Sequence, residues 1–208
     1  MNAFDRKAHW EKIYTTKQFN EVSWYQPKPL TSLHYIQSLH LPLDASIIDV
    51  GGGDSFLVDE LLNLGFNHIT VLDISAAAIE RAKIRLGKKS NVVKWIIADA
   101  ANFNPTEKYD CWHDRAVFHF LTSTKEINNY TKTVSSAIKE NGYFIIGTFS
   151  EEGPTKCSGI AIQQYSAEKL ANTFSKDFNK ISCEMVNHHT PFNTVQSFCF
   201  CKFQKKIT

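Results

Sequence analysis

The chain has 208 residues, 43% of them hydrophobic and 21% charged, enough for one full hydrophobic core. Its 23 basic and 21 acidic residues leave a net charge of +2, and the basic ones are scattered, so there is no electrostatic footprint for nucleic acid. No window approaches the roughly 18 unbroken apolar residues of a membrane span. Residues 1–30 lack the apolar centre of a secretory signal, and five cysteines without a framework spacing read as reduced thiols in a cytoplasm.

In chain order, residues 4–14 carry Trp10, Ile13 and Tyr14 on one helical face. Pro27 and Pro29 bracket the start of a second helical run, 30–39. The pattern then alternates: strand 47–50, helix 56–64, strand 69–73, helix 76–86 and strand 92–98. Strand 109–113, helix 125–139 and strand 143–149 follow. Such alternation implies an α/β fold with a parallel, doubly wound sheet and right-handed crossovers. The tail differs. Ser166 caps a helix to residue 174, and 178–188 and 194–203 read as two strands joined by the short turn 189–193, hence antiparallel. One domain over residues 1–208 is expected, with 1–40 as a helical lid or extension.

The first strand ends at Asp49–Val50 and runs into Gly51–Gly52–Gly53–Asp54–Ser55; the second ends in Asp73, 24 residues after Asp49. A strand, a glycine loop, a helix and an acid closing the next strand hold a nucleoside-type cofactor at the carboxyl edge of a parallel sheet. A dinucleotide loop would need glycine where Phe56 stands. A pyrophosphate would also avoid the carboxylates of Asp49 and Asp54, whereas a cationic ligand gains from them. The pattern Asp49-x-Gly51-x-Gly53-x-Ser55 resembles the first motif of class I S-adenosylmethionine-dependent methyltransferases, with Ser55 where a third glycine is common. The resemblance implies a seven-stranded, mostly parallel sheet whose last strand inserts antiparallel beside the fifth. It implies that Asp73, with Ile74 beside it, takes the ribose hydroxyls. Helix capping is the other use for Asp73, but Ser75 already fills that role. By the same resemblance Asp99 meets the adenine amine and the Ala100 amide a ring nitrogen.

The end of the fourth strand, His113–Asp114–Arg115–Ala116, is where the family puts the methyl acceptor. An Asn/Asp-Pro-Pro-Tyr/Phe element is missing, which disfavours methylation of planar amines. The Trp112-x-Asp114–Arg115 element is similar to that of thiopurine S-methyltransferase-like enzymes. With residues 21–26 and 153–159, the chain resembles small bacterial methyltransferases of poorly defined acceptor. His113, also near the cofactor, and His119 are candidate general bases, with Asp114 as a base or orienting partner. His119 falls four after Arg115 and reads equally as a helix-face residue. Arg115 suits an anionic acceptor or an ion pair with Asp114 or Asp110. Trp24 and Tyr25 suit a lid over a sulfonium, and Phe149 and Cys157 lie on the same edge of the sheet. No metal set is visible, and His188–His189 reads as a turn feature. The expected activity is methyl transfer from S-adenosylmethionine to a small-molecule thiol, carboxylate or metalloid. The alternatives are a protein lysine methyltransferase, for which Glu151–Glu152 is a hint, and a cofactor-binding regulator.

Overall fold

The computed structural model describes residues 4–207; residues 1–3 and 208 of the expected domain lie outside the described residues. The strands are β1 (Ser46–Val50), β2 (His68–Asp73), β3 (Val93–Ile97), β4 (Tyr109–Arg115), β5 (Ile138–Phe149), β6 (Lys156–Cys157), β7 (Ile160–Ala161), β8 (Phe178–His189) and β9 (Val195–Lys205). The helices are α1 (Arg6–Thr16), α2 (Leu30–Gln37), α3 (Leu57–Asn63), α4 (Ala76–Leu86), α5 (Thr124–Ala137) and α6 (Ala167–Phe174). Seven strands form one sheet in the order β3-β2-β1-β4-β5-β9-β8. The first five are parallel, and β9 inserts antiparallel between β5 and β8. This is the Rossmann-like arrangement expected. The strand order reverses between β1 and β4, which opens a crevice at their carboxyl ends.

Strand alternation sorts the core into two layers. Ile47 and Cys111 pack with α2 and α3 on one face, together with Phe149, Phe198 and Phe200. Ile48 and Trp112 pack with α5 and α6 on the other, together with Phe144 and Phe203. Side-chain caps begin the helices where the sequence offers them. The Ser75 hydroxyl accepts the Ala78 amide, the Ser166 hydroxyl accepts the Lys169 amide, and Ser123 and Glu126 form a capping box at α5. None of the described helices is long and apolar enough to cross a membrane.

Three details depart from the sequence reading. Helix α5 stops at Ala137 instead of 139, because buried Ile138 already pairs with Tyr109 and starts β5. A hairpin, β6–β7, turns through Ser158 and Gly159, both at positive φ (51° and 80°), a two-residue turn that Ser-Gly suits. Finally, the five cysteines are not all thiols. Cys183 and Cys201 face one another in the β8–β9 register and are joined as a disulfide; Cys111, Cys157 and Cys199 are free and buried.

Candidate active site

A cleft of about 1280 Å³, open mouth included, lies over the carboxyl ends of β1, β2, β3 and β4. Gly51 and Gly52 shape its floor, and Gly53 packs against Asp73 and Ala78. Gly51 sits at φ +71°, and a Cβ there would strike the Val117 side chain. A Cβ on Gly52 would strike the Asp49 carboxylate, and one on Gly53 would lie 2.5 Å from Asp73 Oδ2. The backbone therefore passes close against two buried acids, which no larger residue permits. Gly53 supports the site from behind and does not itself line the cleft, whereas Asp49, Gly51, Ser55, Asp73, Ile74, Asp99 and Ala100 do.

Asp73 ends β2 with Oδ1 accepting the Ser75 amide at 2.8 Å. Burial pushes its carboxyl up to about 7 against the Ser75 amide, and the negative charges of Asp54 and Asp49 add to the rise. Burial also raises Asp54, despite Arg81 and Arg85. A buried, under-bonded carboxylate among other acids suits hydroxyl donors and a cationic ligand. The residues present thus fit a ribose and an aminoalkyl sulfonium. Asp99 is less free than the sequence suggests. Its two oxygens accept from Arg6 Nη1 at 3.1 and 3.0 Å, and Arg6 also holds Glu126 at 2.5 Å. Any adenine contact of Asp99 is shared with that guanidinium.

At the end of β4 His113 and Arg115 face the cleft, while Trp112 and Asp114 face the opposite layer. His113 lies in register with Asp49, and its Nδ1–H donates to Asp49 Oδ1 at 2.7 Å. Its Nε2 then accepts the Ser32 hydroxyl at 2.9 Å, so neither nitrogen is free to act as a base. Asp114 does not line the cleft, which corrects its expected role. Its carboxylate accepts the Tyr130 hydroxyl and the Val117 amide, and burial raises its pKa to about 6. His119 is also walled off. Its Nδ1 accepts the Phe149 amide at 3.2 Å, its ring stacks on Phe149, and burial with nearby Arg115 lowers it to about 3. A neutral, enclosed imidazole cannot serve the cleft.

Arg115 does line it. The expected ion pairs are not made: Asp110 is held by Lys139, and Asp114 points to the other layer. Nη1 donates to the Trp24 carbonyl at 3.2 Å and the guanidinium lies 5.3 Å from the Phe198 ring centre, while Nη2 is shut from solvent without a partner. Trp24 packs edge-on against Trp10 and Tyr14, and Tyr25 against Phe56. This segment is clasped from β8. His188 Nε2–H donates to the Ser23 carbonyl at 2.6 Å and Nδ1 accepts from Gln26 at 3.1 Å, a role its reading as a turn residue missed. Phe149 and Cys157 complete the wall, the thiol pushed up to about 11 by burial. Among the described residues no set of three side chains is arranged to hold a metal. Tyr14, Arg6, Ser32 and Phe198 were not anticipated. Tyr14 left a signal in the helical spacing it shares with Trp10, and Phe198 as an apolar member of the last strand's alternation; Arg6 and Ser32 left none.

A family model described as "Methyltransferase domain" matches residues 43–206. Human EEF1A lysine methyltransferase 2 is 24% identical over 192 residues, covering 85% of this chain and 75% of that protein. Burkholderia thailandensis 1,6-didemethyltoxoflavin-N1-methyltransferase, solved with bound 1,6-didemethyltoxoflavin and S-adenosylhomocysteine, superposes with a TM-score of 0.75. The two are 14% identical over 97% of this chain and 87% of that one. Bradyrhizobium japonicum N-methyltransferase NodS with S-adenosylhomocysteine gives 0.68 at 16% identity, over 97% and 99% of the two chains.

Proposed function

Since the chain belongs to the Methyltransferase domain family, we propose that its methyl acceptor is a small molecule enclosed between β4, β5 and the Trp24–Tyr25 segment. It is an S-adenosylmethionine-dependent methyltransferase. When bound, S-adenosylmethionine supplies a sulfonium-activated methyl group that an acceptor lone pair displaces in line. Asp73 would hold the ribose, Asp49 and the Gly51 turn the amino-acid end, and Asp99 and Ala100 the adenine.

The chain's own residues orient and dehydrate. His113 fixes Asp49 and ties α2 to β1, Arg115 and His188 hold the aromatic segment, and the rings exclude water. Holding two reactants in attack geometry contributes about 7–11 kcal/mol, so methyl transfer needs no base here unless the acceptor arrives protonated.

The observation that carries this reading is the aromatic wall over the cleft. Trp24 is fastened by its carbonyl to Arg115 and Ser23 by its carbonyl to His188, which holds that wall against the acceptor side. Incubation with labelled S-adenosylmethionine and separated fractions of a lysate tests it. Label in the low-mass fraction supports the reading; label confined to a protein band replaces it with protein methylation. That second reading is favoured by the likeness to EEF1A lysine methyltransferase 2.

A further inference from the structure

We propose that the acceptor is anchored by a carboxylate, or an equivalent oxyanion, seated on the unused Nη2 edge of Arg115 beside the aromatic wall. The inference rests on the methyltransferase reading above and names the substrate class of the same site. A guanidinium carries five donors and no acceptor. Here one nitrogen is spent on the Trp24 carbonyl, and Nη2 is solvent-inaccessible and unpaired although the residue lines the cleft.

No carboxylate of the described residues forms an ion pair with Arg115, and the one carboxylate whose charge reaches it, Asp49, bonds His113 and offsets the burial of the guanidinium only in part. Cys157, also on the wall, is a thiol at neutral pH, and burial and Arg115 itself keep His119 and His188 neutral. The remaining neighbour is the face of Phe198, which favours a cation weakly. A buried guanidinium left in this state is costly, and an incoming oxyanion removes the cost with a charge-assisted hydrogen bond. Trp24, Tyr25, Phe149 and Phe198 supply flat apolar walls beside it. The matching ligand is therefore a small aromatic or apolar acid. An ammonium acceptor would meet a positive charge that Asp49 offsets only in part, so the same feature disfavours a lysine substrate.

Titration of the protein loaded with S-adenosylhomocysteine tests this, using benzoate and its uncharged counterpart benzamide as probes. Benzoate is expected to bind at least tenfold more tightly than benzamide, tenfold corresponding to about 1.4 kcal/mol. Arg115→Gln keeps an amide donor but no charge, and should erase that preference. Arg115→Lys should restore part of it. In both variants S-adenosylhomocysteine affinity should stay within a few fold. Equal binding of the two probes by the wild type, no benzoate binding at about 10 mM, or a preference that survives Arg115→Gln would overturn the proposal. The wild-type comparison stands even where a variant fails to fold. Failure of S-adenosylhomocysteine itself to bind, read before benzoate is added, would instead overturn the methyltransferase reading.

Discussion

Burial, with Asp54 and Asp49 nearby, raises the Asp73 carboxyl to about 7 although the Ser75 amide opposes it. The folded value lies above the unfolded one of about 4, so the native protein holds a proton that the unfolded chain has lost between those values. The contribution of Asp73 to stability is therefore fully present below about pH 4 and is lost as pH rises towards 7. Ribose hydroxyls held by Asp73 as proposed would donate to the ionised carboxylate and work in the opposite sense. S-adenosylhomocysteine should release protons on binding near pH 6, and its affinity should fall as the pH is lowered from about 8 to 5.5; calorimetry in buffers of different ionisation heat reads both. Asp73→Ala should cost about 2–3 kcal/mol of that affinity and flatten its pH dependence. His113 leads to a different expectation. With both ring nitrogens committed to Asp49 and Ser32, His113→Gln should lower turnover by misplacing Asp49 while leaving the shape of the pH–rate profile unchanged. Loss of an inflection from that profile would return His113 to the role of base.

At the scale of elements, α1 is clasped to the cofactor edge of the sheet at three points. Arg6 bridges Asp99 and Glu126, the Glu11 carboxylate takes the Ser75 hydroxyl and the Ala77 amide at the start of α4, and Arg81 holds the Tyr14 and Lys17 carbonyls. Trp10 and Tyr14 are thereby laid over the cleft. The clasp fits a lid that opens for cofactor exchange. Arg6→Ala should speed S-adenosylhomocysteine dissociation about tenfold, equivalent to roughly 1.4 kcal/mol of charge-assisted bonding. Stopped-flow tryptophan fluorescence reads the rate, and an unchanged rate would make α1 a fixed part of the fold. The helical face of Trp10 and Tyr14 was readable from spacing alone. The pairing of Arg6 with Asp99 was not, because 93 residues separate them.

At the scale of the molecule, the layer opposite the cleft holds its own polar core. The Trp112 indole N–H donates to the Tyr130 hydroxyl, which donates to Asp114. Tyr130→Phe leaves that buried carboxylate short of a donor and should lower stability by about 1–3 kcal/mol. Urea denaturation should show the shift, with S-adenosylhomocysteine affinity of the folded protein unaffected. The Cys183–Cys201 disulfide closes a loop of sequence separation 18 between β8 and β9. Chain-entropy arguments assign such a loop about 3 kcal/mol, so dithiothreitol should lower the urea midpoint of the wild type. A Cys183→Ser variant should show no further change on reduction.

Local signals determined the order of helices and strands, the antiparallel ending, the glycine turn and the acids that close β1, β2 and β3. Periodicity, caps and turn residues act over a few positions, so they are written in the sequence. Tertiary structure decided what each polar side chain in His113–Asp114–Arg115 meets. Strand alternation separates Asp114 from its neighbours. Only the register of β4 against β1 and β5, and the packing of α2 and α5 on opposite faces, assigns one parity to the cleft and the other to the core. Their partners Ser32, Tyr130 and Trp24 lie 81, 16 and 91 residues away. Contacts formed across such loops depend on how layers stack, which residue spacing does not encode.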